Sequence, residues 1–105
     1  MIKRIWHGWT TCANADAYEA LLESEVFPGI AAMNIDGYRG VTLLRQNGED
    51  EVSFVTIMTF QSLDSIVALA GDEPTRSYVP AAARALLSRW NDHAEHYEVR
   101  EDIHC

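Results

Sequence analysis

Lysine is almost missing from this chain of 105 residues: Lys3 stands alone beside seven arginines and against 16 acids, for a formal net charge of −8. Nucleic acid and anionic membrane both require a basic face, so neither is an expected partner. Cysteine is nearly as scarce. Cys12 and Cys105 lie at opposite ends with no CxxC, which excludes a zinc ribbon or a disulfide scaffold and leaves two reduced thiols as the expectation. Cys12 falls near a predicted helix start, where a thiol becomes more reactive, but a small residue in the first turn is the simpler reading. No apolar run approaches the roughly 20 residues of a membrane span. The opening MIKRIWHGW carries two positive charges without an apolar h-region or cleavage site, so no signal peptide is expected and the expected compartment is the cytoplasm. Paired carboxylates, a nucleophile elbow and a phosphate-binding loop are all missing. No flavin or nicotinamide redox cofactor is therefore expected.

What is present is a chain that is 48% hydrophobic and 23% charged, the length of one domain over residues 1–105. Its centre is Tyr38 to Phe60. Val41–Leu44 and Val52–Met58 are rich in β-branched and aromatic residues, and Gln46–Asp50 between them holds an Asn-Gly turn. Two antiparallel strands follow from this pattern, each apolar on more than one face.

The remaining elements arrange themselves around that hairpin. Ile2 to Thr10 predicts a first strand, with Ile5, His7 and Trp9 on one face and Arg4, Trp6 and Gly8 on the other. Gly8 in mid-strand suggests a close backbone or ligand approach. Thr10-Thr11 offer an N-cap for a helix from about Ala13, with Tyr18, Leu21, Leu22 and Val26 as its apolar stripe. Pro28-Gly29 should kink or end it, and Ile30 to Met33 can add a further turn. Ser62 caps a second helix that Gly71 stops. After a loop over Gly71 to Tyr78, Pro80 opens a third helix predicted over Ala81 to Trp90, and a last strand is predicted over His93 to Arg100. The final five residues are expected to fray.

The order β-α-β-β-α-(α)-β is the split βαβ pattern: an α+β, ferredoxin-like domain with a four-stranded antiparallel sheet covered by helices on one face. The other face would stay bare. Since both faces are apolar, two sheets meeting in a homodimer, a dimeric α/β barrel, is the economical solution.

The chain resembles the dimeric α/β-barrel proteins of the antibiotic biosynthesis monooxygenase type over nearly its whole length. The residues that carry the likeness are the IWHGWT opening, the YEALLESEVFPGI helix, the GYRGVTLLR and EVSFVTIMTFQSLDSIVALAG core, and the HYEV final strand. The resemblance implies a cofactor-free monooxygenase that oxidises a small phenol or quinol with dioxygen in a pocket between sheet and helices. Relatives of this type carry an asparagine and a tryptophan on the third strand, where this chain has Thr56 and Phe60, and a tyrosine on the next helix, where it has Ile66. The haem-degrading branch uses an asparagine on the first strand and a tryptophan and a histidine around the second helix. Here those places hold His7 or Gly8, Leu69 and Val79, which disfavours haem degradation.

The candidate site is therefore His7 and Tyr78 as catalytic residues, with Trp9, Tyr38 and Arg39 binding the substrate, a small aromatic or apolar ligand. For His7 the competing reading is a hydrogen-bonded core residue, for Tyr78 a packing cap, and for Arg39 a surface pair with an acid such as Asp36. His93 and His96 sit three apart, so on a strand they point to opposite faces and no metal site is expected. The competing class of function is a non-catalytic dimeric module that binds a small ligand.

Overall fold

The computed structural model describes residues 1–105. Strand β1 runs Ile2–Thr11, followed by helix α1 (Ala15–Leu21), a π-helical turn over Leu22–Val26 and helix α2 (Phe27–Ala32). The central hairpin is β2 (Tyr38–Asn47) and β3 (Glu51–Phe60), closed where the Gly48 N–H donates to the Glu51 carbonyl. Helix α3 (Leu63–Ala70), a single turn α4 (Ala81–Arg84), and strands β4 (Leu87–Trp90) and β5 (Glu95–Glu98) complete the chain.

All strand pairs are antiparallel, in the spatial order β2-β3-β1-β4, with β5 also pairing β1. The expected fourth strand is thus split in two. β4 pairs with Gly8–Thr10 and β5 with Ile2–Ile5, so five strands fill four places.

This split corrects the third helix predicted over Ala81 to Trp90. One turn forms, and the chain then leaves it to pair along β1. Leu86, Leu87 and Trp90 do recur at helical spacing, but a helix this short is marginal alone. The open edge of β1 offers backbone partners to the same residues, and burial of Leu87 against the core follows. The last strand shrinks accordingly, from the predicted 93–100 to Glu95–Glu98.

The helix start also shifts. The strand continues through Thr11, and Thr11 Oγ1 accepts from the Asn14 N–H at 3.2 Å, so the threonine closes the turn while the helix begins at Ala15. Ser62 caps α3 as expected, its side chain accepting from Ser65 N. Proline 28 neither ends nor sharply breaks its helix. It has no N–H to give the Ser24 carbonyl, and its ring crowds that carbonyl. The helix widens one residue earlier instead: Phe27 N donates to the Leu22 carbonyl, an i→i−5 bond. Such turns often sit at functional sites.

Alternation along β3 is strict. Val52, Phe54, Thr56, Met58 and Phe60 are buried, and the residues between them are half exposed. The register places Trp6 beside Thr56, Arg4 beside Met58 and Gly8 beside Phe54, so this is the face that the helices cover. The core beneath them forms two clusters, one around Tyr18, Leu22, Phe54 and Leu87 and one around Ile30, Met58, Phe60 and Ile66. Tyr18 meets Phe54 edge to face at 4.8 Å, a favoured aromatic geometry. The opposite sheet face carries Ile5, His7, Trp9, Val55 and Ile57, and no element of the chain lies over it.

Candidate active site

Where the two core clusters meet, the helix layer and the sheet leave a narrow cavity of about 40 Å³. The sheet supplies Arg4 and Trp6 from β1 and Thr56 and Met58 from β3. The helical side supplies Tyr18, the widened turn with Leu22 and Val26, and Phe27 and Ile30. The loop before α4 closes the mouth with Tyr78 and Pro80. Ten of the thirteen lining residues are hydrophobic. This is the composition of a small-molecule site, with a few polar groups in an apolar wall.

Arg4 is the one charged residue among the buried ones, at 4% exposure. Its guanidinium donates to the carbonyl oxygens of Pro74 and, at 2.7 Å, Arg76. It also meets His96 Nε2 at 2.9 Å. Burial lowers the Arg4 pKa from its ordinary value, and burial together with the neighbouring Arg4 charge lowers that of His96. His96 is therefore held neutral. The Trp6 indole N–H is fixed by Ser77 Oγ at 2.7 Å and the Asn91 carbonyl at 2.8 Å, so its ring is a rigid wall. Burial pushes the Tyr18 hydroxyl up to about 12, which keeps it un-ionised. Thr56, which stands where the resembled family has an asparagine, lines the cavity from β3. No histidine, carboxylate, lysine or cysteine belongs to the lining.

Of the five candidate site residues, the cavity brings in Tyr78 alone. His7 and Trp9 lie on the uncovered sheet face, their rings stacked at 6.1 Å, and Arg89 sits 3.7 Å from the Trp9 ring while pairing with Glu51 at 2.6 Å. Tyr38 packs against Phe60 at the far end of the second cluster, and burial raises its pKa. Arg39 is exposed and donates to Gln61 Oε1 at 2.8 Å rather than pairing with Asp36. Gly8 does allow a close approach, but the visitors are the chain's own Leu87 and Trp6 side chains, which would lie 3.0 and 3.1 Å from a Cβ there. His93 and His96 have separate partners, Thr75 and Arg4. Both cysteines are free and exposed.

Arg4, Trp6 and Thr56 are the residues that sequence reasoning passed over. One signal existed: Arg4, Trp6 and Gly8 share a face, and an arginine in mid-strand beside a tryptophan is unusual on a face that helices cover.

No protein-family model matches the sequence, and no curated protein matches it either. The fold is similar to that of a solved structure, SnoaB, a cofactor-independent oxygenase from Streptomyces nogalater, with a TM-score of 0.58 and 22% sequence identity over 97% of this chain and 96% of that one. The likeness establishes an α+β, ferredoxin-like fold. No helix of the chain is long and apolar enough to cross a membrane.

Proposed function

We propose that this protein is a cofactor-independent monooxygenase of the antibiotic biosynthesis monooxygenase type, acting on a small phenol or quinol-like aromatic with dioxygen. One observation carries the reading: an apolar cavity between sheet and helices is walled by a fixed tryptophan and holds a buried arginine. Similarity of fold to a cofactor-independent oxygenase supports it. In the reaction proposed, a ring carbon of a phenol forms a bond to one oxygen atom. The ring C–H and the O–H lose their hydrogens to the other atom, so phenol and dioxygen give a quinone and water. The substrate loses four electrons and dioxygen takes them. The protein's share is to hold the ring, stabilise its anion and keep water from the intermediates.

At about 40 Å³ the cavity holds a few waters, well below the roughly 300–1,000 Å³ of drug-sized ligand sites. A ring therefore enters only as Tyr78 and the widened helical turn move apart. The uncovered sheet face, with Ile5, Trp9, Val55 and Ile57, is proposed to meet its counterpart in a homodimer of single-domain protomers.

The alternative is a binding module without turnover. The lack of an ordinary acid–base side chain in the lining favours it. Oxygen uptake with naphthols and naphthohydroquinones under air, corrected for autoxidation, tests the enzyme. Saturable binding without enzyme-dependent uptake or quinone formation would sink the oxygenase and leave the module.

A further inference from the structure

The chain has 16 acids for eight basic side chains, and three of its surface arginines pair with them. Arg45 reaches Asp16 and Glu19, Arg76 reaches Glu73, and Arg89 reaches Glu51. The one buried arginine has no carboxylate. A buried charge is costly unless it is paired. Arg4 is held by dipoles instead, through two carbonyls and a neutral imidazole. A guanidinium has five N–H donors, and these three contacts leave two without a partner in the chain. No opposing acid faces it from the cavity: the polar groups there are the Tyr18, Tyr78 and Thr56 hydroxyls and the Trp6 indole, and the Arg76 side chain is turned away to Glu73.

We infer that Arg4 is the anion-recognition residue of this cavity, and that the cavity selects a planar aromatic bearing one oxyanion next to an otherwise apolar ring. The inference rests on the proposed use of the cavity as the ligand site and adds the substrate's charge state to it. It also accounts for the missing base. A positive charge in a dry, low-dielectric site lowers the pKa of a phenol that binds against it. The proton then passes to water as the ligand enters, and no side chain has to take it. An ionised hydroxyl and a carboxylate share the required chemistry. Only the hydroxyl yields an electron-rich phenolate.

Three probes distinguish these cases by quenching of tryptophan fluorescence at neutral pH: 1-naphthol, 1-naphthoate, and the non-acidic 1-naphthalenemethanol. Wild-type protein should bind the first two more tightly than the third. Bound 1-naphthol should show the red-shifted absorption of naphtholate at a pH where the free compound is neutral. Arg4→Met should weaken both anions by roughly 10- to 100-fold, the worth of a hydrogen bond to a charged group, and leave naphthalenemethanol within about threefold. Arg4→Lys should recover part of the loss. If naphthoate binds and naphthol does not, the selected anion is a carboxylate; oxygen-uptake results then bear on the oxygenase reading separately.

Bound naphthol with the spectrum of the neutral form, together with equal affinity for all three probes, would overturn the inference. That experiment needs only the wild-type chain, so a variant that fails to fold does not rescue it. Binding of none of the three removes the ligand site itself. Anion-selective, Arg4-dependent binding without any oxygen uptake keeps the inference and removes the oxygenase.

Discussion

Arg4 and His96 are cross-strand neighbours on β1 and β5, and the arginine donates to His96 Nε2 over 2.9 Å. Arginine has no lone pair to offer, so Nε2 must be the acceptor and the imidazole neutral. Protonating His96 would replace an acceptor with a donor and set two positive charges face to face. The strand pair that brings the two together is short, four residues on the β5 side.

The pH dependence of stability follows from this contact. His96 has a lowered pKa in the folded protein, from burial first and from Arg4 second. Between its folded value and the ordinary 6.5 the unfolded chain binds the extra proton. Stability linked to His96 is thus fully present above that ordinary value and is lost as pH falls through the folded value. Thermal melts from neutral to mildly acidic pH should show a falling Tm for wild type and a flatter profile for His96→Gln. Parallel profiles would mean that the contact does not control the titration.

Gly37 is a second place where two residues constrain each other. Its φ is +88°, and a Cβ there would lie 2.2 Å from Ser65 Oγ. That hydroxyl donates to the Asp36 carbonyl at 2.6 Å and ties α3 to the entry of β2. Gly37→Ala combines left-handed backbone strain with loss of this bond, and should cost about 2–3 kcal/mol in a denaturant titration. A cost below about 0.5 kcal/mol would show that the turn relaxes freely.

Most of the fold was legible because the hairpin, the strand alternation and the Ser62 and Gly71 boundaries are local signals. The split edge was not. Leu87–Trp90 has a pattern that suits either a helix or a strand, and only the unpaired half of β1 decides between them. His7 and Trp9 fall outside the cavity for a related reason. Period-two alternation separates Arg4, Trp6 and Gly8 from Ile5, His7 and Trp9, but it does not say which set the helices cover. Aromatic residues on both faces removed the usual contrast between a wet face and a dry one. Tyr78 does line the cavity, because a loop tyrosine before a helix-starting proline lies over the space beneath that helix.

The uncovered face predicts association. Trp9 lies between His7 and Arg89, and the register sets His7 opposite Val55 and Ile5 opposite Ile57 on the same face. Ile57→Asp should convert a dimer seen by sedimentation into a monomer at micromolar concentration, since a charge in the middle of an apolar interface is left unpaired. A wild-type chain that sediments as a stable monomer would rule out this use of the face. His7→Gln assigns the neighbouring histidine: an effect on association alone places it in the interface, whereas lost turnover with dimer and Tm intact would make it the base after all.

Val26, Tyr78 and Pro80 line both the inner cavity and an outer cleft of about 320 Å³. Tyr78 is 40% exposed, and Val79, Pro80 and the single turn of α4 follow it. Movement of this side chain away from the widened turn would join two spaces that are separately too small or too open to hold an aromatic ligand. Tyr78→Ala should therefore leave the fold nearly as stable, within about 1 kcal/mol. It should raise both the association and the dissociation rate of 1-naphthol, with the larger change in dissociation, because an open mouth no longer retains the ring. Tyr78→Phe keeps the lid and loses only the hydroxyl, so it should bind with wild-type rates. If the phenylalanine variant loses turnover while those rates stay unchanged, the hydroxyl acts in the chemistry and the residue is more than a lid. Stopped-flow fluorescence on the two variants, with oxygen uptake beside it, separates retention from reaction.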